Sequence, residues 1–126
     1  MHLQNTPNSD LHVRLAALRK QEAAAGALFD TVDAKRAALL RKGSAIGAVL
    51  ARRFDEADSA YDAAVDARIE IENAIVAAPM ESKADVRAKL RILIGRADTW
   101  GDADVSGLAE QFVGQVMAFA KRGAAN

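Results

Sequence analysis

The stretch LARRFDEADSAYDAAVDARIEIENAIVAA, Leu50–Ala78, decides the fold. Within it Leu50, Phe54, Ala57, Tyr61, Ala64, Arg68, Ile71, Ile75 and Ala78 step alternately by four and three, the spacing that keeps one seam of a helix facing a partner. The preceding stretch repeats the alternation through Leu11, Leu15, Leu18, Glu22, Ala25, Phe29, Val32, Arg36 and Leu39. Between them lies Gly43-Ser44-Ala45-Ile46-Gly47, a piece that can turn. If the two arms run antiparallel about this turn, facing residues should carry numbers that total about 90, and all seam positions obey this without a shift. The register sets Glu22 against Arg68, Phe29 against Tyr61, and Arg36 beside Phe54, where a guanidinium can stack on a ring. The glutamate and arginine at one layer read as a specifier of register.

The ends of the arms follow from local signals. Ser9 or Asp10 can cap the first helix, because a side-chain oxygen accepts from the orphan amides of a first turn. Arg41 and Lys42 suit the negative end of a helix, and Gly43 can take the left-handed conformation that closes it. Gly26 is read only as a mild local weakness, about 1 kcal/mol relative to alanine. Ser44 is a candidate cap for the second arm, with Gly47 blurring where that arm starts; Leu50–Ala77 is its firm part. Pro79 stops it, since the ring removes a donor and pushes the preceding residue out of helical geometry. Ser82 followed by Asp85 resembles a capping box and opens a short third helix with Val86, Leu90, Leu93 and Ala97 as its apolar seam, frayed near Gly95. Trp100-Gly101-Asp102 reads as a loop anchored by its tryptophan. A last helix runs from about Asp104 to Lys121–Gly123 with Val105, Leu108, Phe112, Val116 and Phe119 on one face. No strand pattern is present.

The expected fold is therefore all-α: a long antiparallel helical hairpin of coiled-coil type with a small C-terminal two-helix cap. By length the 126 residues form one domain, with 1–9 a flexible tail, 10–78 the hairpin turning near 43–47, and 79–126 the two shorter helices. Apolar residues make up 51% of the chain but aromatics only 5%, so the core is alanine-rich and thin.

Composition excludes several chemistries. The chain has no cysteine, which removes disulfides, thiolate metal sites and cysteine nucleophiles. His2 and His12 are the two histidines, and neither has a companion at metal-ligand spacing, so both read as surface residues. Asp55, Asp58, Asp62 and Asp66 form a ladder that flanks the seam and is read as a solvated face. Gly43 and Gly47 lack the Gly-Lys-Ser/Thr ending of a phosphate loop. No catalytic residue, metal ligand or cofactor is expected, and the chain is read as a non-enzyme. The N-terminus has no basic stretch ahead of an apolar run, and nothing is apolar enough to span a bilayer, so a cytoplasmic setting without a membrane partner is expected.

Seventeen basic and seventeen acidic residues leave the net charge at zero, yet the charges alternate in blocks. Lys35–Arg53 carries +6, Asp55–Glu72 carries −6 and Lys83–Arg96 carries +4. Lys83, Arg87 and Arg91, at i, i+4 and i+8, are expected to dock on the acidic second arm. Arg41, Lys42, Arg52 and Arg53 at the hairpin tip form the candidate interaction surface, for phosphates or an acidic partner. A protein partner, the chain itself included, ranks first, because apolar residues off the seam such as Val65, Ile69 and Ile92 can extend packing between chains. Nucleic acid bound at the tip is the alternative.

The text FDEADSAYDAAVDARIEIENAIVAAPMESKADVRAKLRIL, Phe54–Leu93, resembles a group of small helical proteins of alphaproteobacteria that are often phage-associated. It shares their alanine-rich arm of alternating acidic and apolar residues, their short Ala-Pro turn at Pro79, and a Lys-ending piece like Ala88-Lys89-Leu90. It departs from them at Met80-Glu81-Ser82, where a Thr-rich turn is common. The resemblance implies a phage-associated setting and brings no activity with it.

Overall fold

The computed structural model describes residues 7–100 and 102–125. They form four α-helices: α1 (Pro7–Arg41), α2 (Ala48–Ala77), α3 (Lys83–Trp100) and α4 (Asp102–Ala125). The chain is all-α over these residues. Its contacts divide it into two compact units, one of Arg14–Glu70 and one of Met1–Val13 with Ile71–Asn126. The first turns of α1 and the last turns of α2 thus belong with α3 and α4, whereas the sequence reading gave both arms whole to the hairpin.

In the unit of residues 14–70, every predicted seam residue of α1 and α2 is buried or half-buried, with Leu15, Val32 and Ala57 innermost. Arg68 Nε donates to Glu22 Oε1 at 2.7 Å. The Phe29 ring stacks on Tyr61 with centroids 6.3 Å apart and tilts against Phe54 at 5.3 Å. The Arg36 guanidinium lies 4.5 Å from the centre of the Phe54 ring. Gly26 has a role that propensity alone does not give it, because a Cβ there would stand 3.3 Å from Tyr61 Cε1. The missing side chain is what lets the ring lie against α1.

The turn after α1 is built by its backbone. Gly43 takes φ +71°, its N–H donates to Leu40 O at 3.0 Å, and the Ser44 N–H donates to Leu39 O at 2.9 Å. This double closure satisfies two of the last carbonyls of α1. Ser44 stands too far ahead of α2 to cap it, and Gly47 O instead accepts the first bond of that helix, from Ala51 N at 3.0 Å.

Expectations are corrected at the start of α1, the end of α3 and the start of α4. Helix α1 already includes Pro7, Asn8 and Ser9, so Ser9 and Asp10 lie inside its first turns; proline suits that place because the donor it lacks would be an orphan there. Helix α3 runs through Gly95 to Trp100, and α4 starts at Asp102, so both flanks of the expected loop are helical. Gly101, the Trp100 side chain and the side chains of Val105 and Leu108 lie outside the described set. Phe112, Val116 and Phe119 are half-buried on the expected face of α4. The seam of α3 keeps Leu93, buried, and Val86 and Ala97, half-buried, and is corrected at Leu90, which is 44% exposed. Asp85, Lys89, Ile92 and Arg96 are buried with Leu93 on the inward side.

Candidate functional site

The unit of residues 7–13 and 71–125 is centred on the turn between α2 and α3, and its innermost side chains are unusual. Lys89, Met80, Ile92 and Asp85 are the largest fully buried ones among the described residues, and two of the four carry charge. Buried charges require partners, and the turn supplies them.

Helix α2 ends ahead of Pro79 with no basic residue in its own last turn; the Ala78 N–H serves Ala74 O and Ile75 O, and the carbonyls beyond them need donors from elsewhere. Lys89 Nζ donates to Val76 O at 3.2 Å, to Ala78 O, and to Gln115 Oε1 at 2.7 Å. The next two carbonyls are met from other helices: Asn8 Nδ2 donates to Pro79 O at 2.7 Å and Arg122 Nη2 to Met80 O at 2.6 Å. Three consecutive carbonyls of the turn are thereby held by side chains of α3, α1 and α4.

The start of α3 presents the opposite need, free amides, and Asp85 meets it. Its Oδ2 accepts from Glu81 N at 2.7 Å and Ser82 N at 3.0 Å, and Ser82 Oγ accepts from Asp85 N at 3.2 Å, which completes the capping box. Oδ2 also accepts from Asn8 Nδ2 at 2.9 Å, and Oδ1 from His12 Nε2 at 2.7 Å. Burial pushes the Asp85 carboxyl up, but the bonds from Asn8, His12 and the two amides outweigh it and hold the group below its ordinary range. Burial pushes the Lys89 ammonium down, with the charge of Asp85 opposing the shift. Farther along α3, Arg96 reaches Asn73 Oδ1 and lies 3.8 Å from Glu72 Oε1, both on α2.

His12 is therefore not a free surface histidine, and Ile92, expected outside, is buried. His2 lies outside the described residues. The His12–Asp85 pair resembles half of a catalytic triad, but the space among Asn8, Leu11, His12, Ile75, Ala78, Asp85 and Lys89 admits no water-sized group. What the cluster does chemically is close a turn and fasten three helices to it. The sequence held one signal for this: a helix stopped at Pro79 without a cation of its own, followed by Asp85 and Lys89 four apart. Asn8 and His12 carried none, since they reach the turn from more than 70 positions away.

The predicted tip residues Arg41, Lys42, Arg52 and Arg53 are all exposed. Arg53 also borders an open groove of about 490 Å³ in its unit, floored by Leu28, Val32, Ala57 and Ala60 and flanked by Lys35 and Glu56. Lys83, Arg87 and Arg91 are exposed on α3, and the basic contacts this helix makes with α2 come from Lys89 and Arg96 instead. Exposed apolar side chains occur at Leu90 and Ile94 on the same helix, and at Val113 and Met117 on α4. Among the described residues no group of three or more His, Asp or Glu side chains gathers to hold a metal, and no helix is long and apolar enough to cross a membrane. No family model, curated protein or solved structure matches the chain.

Proposed function

We propose that this chain is a non-enzymatic helical interaction or structural protein that works by presenting a face to a protein partner, a second copy included. In this reading α1 and α2 pair as an antiparallel, coiled-coil-like hairpin, supported by the contacts Glu22–Arg68, Phe29–Tyr61 and Arg36–Phe54, and α3 with α4 form a smaller C-terminal element. The observation that carries the reading is that α3 buries Asp85, Lys89 and Arg96 beside Ile92 and Leu93 and leaves Leu90 and Ile94 exposed. An exposed aliphatic pair one helical turn apart, rimmed by charge, supports a docking face. A phage-associated setting belongs to the proposal through the resemblance of Phe54–Leu93. Light scattering over a concentration series tests it, and the expected result is a mass that climbs above that of one chain. A strictly monomeric chain at high micromolar concentration that also retains no protein from a host lysate contradicts it.

The second reading is nucleic-acid binding, favoured by the four exposed cations at the tip. Phosphate contacts release counterions, so affinity for labelled duplex or single strand should fall steeply with salt and be lost with Arg52→Glu plus Arg53→Glu. Fluorescence anisotropy reads both effects. Absence of binding at low salt, or binding indifferent to that double substitution, rejects it.

A further inference from the structure

The charge blocks of the sequence become, in the folded chain, two faces with the same repeat and opposite sign. On α2, Asp55, Asp58, Asp62, Asp66 and Glu70 are all exposed and share one side of the helix, because steps of three and four residues return to the same side. Val65 and Ile69, half-buried, border that side. On α3, Lys83, Arg87 and Arg91 are exposed at steps of four, and the same side carries Leu90 and Ile94. Three cations thus repeat every four residues beside two aliphatics, and Asp58, Asp62 and Asp66 repeat every four residues beside two more. At a rise of about 1.5 Å per residue both ladders have rungs roughly 6 Å apart, so one fits the other over its whole length.

Every charged residue of the two ladders is exposed. Helix α3 has spent its other side on the turn and on Asn73, Val76 and Ala78, through Arg96 and Lys89. We propose that the Lys83/Arg87/Arg91 face of α3, with Leu90 and Ile94, docks on the Asp58/Asp62/Asp66 face of α2, with Val65 and Ile69, in a second copy of this chain. The inference rests on the self-association part of the function proposed above and names its surface. A second copy is the partner the charges fit, since one sequence with no net charge carries both complementary ladders at equal spacing. The aliphatics supply affinity on leaving water, and the charges fix register and reject a shift of one rung.

The test is a charge-swap mixture, followed by sedimentation or light scattering. One variant carries Arg87→Glu with Arg91→Glu, the other Asp62→Lys with Asp66→Lys; all four positions are exposed, so circular dichroism should report unchanged helix content. Each variant alone sets like charges across the interface and should self-associate at least roughly tenfold more weakly than the wild type. An equimolar mixture restores opposite charges at both faces and should return to within a few-fold of wild-type association. It does so whether the copies close into a dimer or continue as a chain. Wild-type association should also weaken as salt is raised. If the wild type associates and the variants associate equally well, these faces are not the interface, although self-association stands. If each variant is weakened and the mixture is not restored, the faces matter but do not meet each other, and the pairing is wrong. A wild type that stays monomeric overturns this inference together with the self-association part of the proposed function, while capture of a different protein would leave the wider interaction reading in place.

Discussion

Asp85 is where one side chain does most for the fold. Its carboxylate accepts four hydrogen bonds, from Asn8, His12 and the amides of Glu81 and Ser82, and these lower its pKa from the ordinary 3.8 despite burial. A depressed folded-state pKa contributes stability that is complete above the unfolded value and is lost as pH falls through the folded one, because the unfolded chain takes up the proton first. Urea melts from neutral to about pH 3 should therefore show a loss on the acid side that shrinks in Asp85→Asn, a variant already destabilised by about 2 kcal/mol at neutral pH. An unchanged acid limb in the variant would mean that Asp85 titrates as it does in the unfolded chain. Lys89 poses the opposite question, since burying its ammonium opposes folding. Replacing a buried ion by an apolar side chain is often harmless when its partner is replaced too, but Val76 O, Ala78 O and Gln115 Oε1 would stay behind. Lys89→Met should cost about 2 to 3 kcal/mol in urea melts, and a variant as stable as the wild type would show that water satisfies those acceptors.

At the scale of the helix, three glycines separate conformation, close approach and plain propensity. Gly43 sits at φ +71°, where a side chain crowds the following carbonyl, so Gly43→Ala should cost about 1 to 2 kcal/mol. Gly95 lies inside α3 with open space where its Cβ would be, and Gly95→Ala should gain up to about 1 kcal/mol. Gly26 has the same propensity to gain, but Tyr61 Cε1 stands 3.3 Å from the new Cβ, and that ring is stacked on Phe29. Gly26→Ala should therefore fall clearly short of Gly95→Ala. Thermal melts of the three variants give the order directly, and a Gly26→Ala gain equal to that of Gly95→Ala would show the ring free to move.

Over the whole molecule, the readable part of the sequence was the part held together by periodicity. The seam of α1 and α2 repeats for nine positions in each arm, and each of those positions is buried or half-buried. Helix α3 followed the same rule at Val86, Leu93 and Ala97 but not at Leu90. An apolar pattern places Leu90 inside and Asp85 and Lys89 outside, but the turn at 78–82 holds orphan carbonyls and amides that buried polar and charged side chains meet. The need arises from the backbone of one segment and is answered by α1, α3 and α4, so no local window contains it. Arg41, Lys42, Arg52 and Arg53 were legible as a cluster of charge, and the ladders of α2 and α3 were legible as charge blocks, though not as exposed rows of equal spacing. The claim on which the rest stands is the antiparallel pairing of α1 with α2, and the Glu22–Arg68 layer tests it most directly. Arg68 Nε and Glu22 Oε1 are 2.7 Å apart with each side chain about a quarter exposed. Losing one partner of a buried pair costs about 3 to 5 kcal/mol, and water at this layer should reduce that to about 1 to 3 for Arg68→Glu. Urea melts of the wild type, Arg68→Glu, Glu22→Arg and the double exchange give the coupling energy. The account predicts two destabilised single variants and a double exchange that recovers part of the loss, for a coupling of about 1 kcal/mol or more; single variants near wild type with a coupling indistinguishable from zero would contradict the pairing.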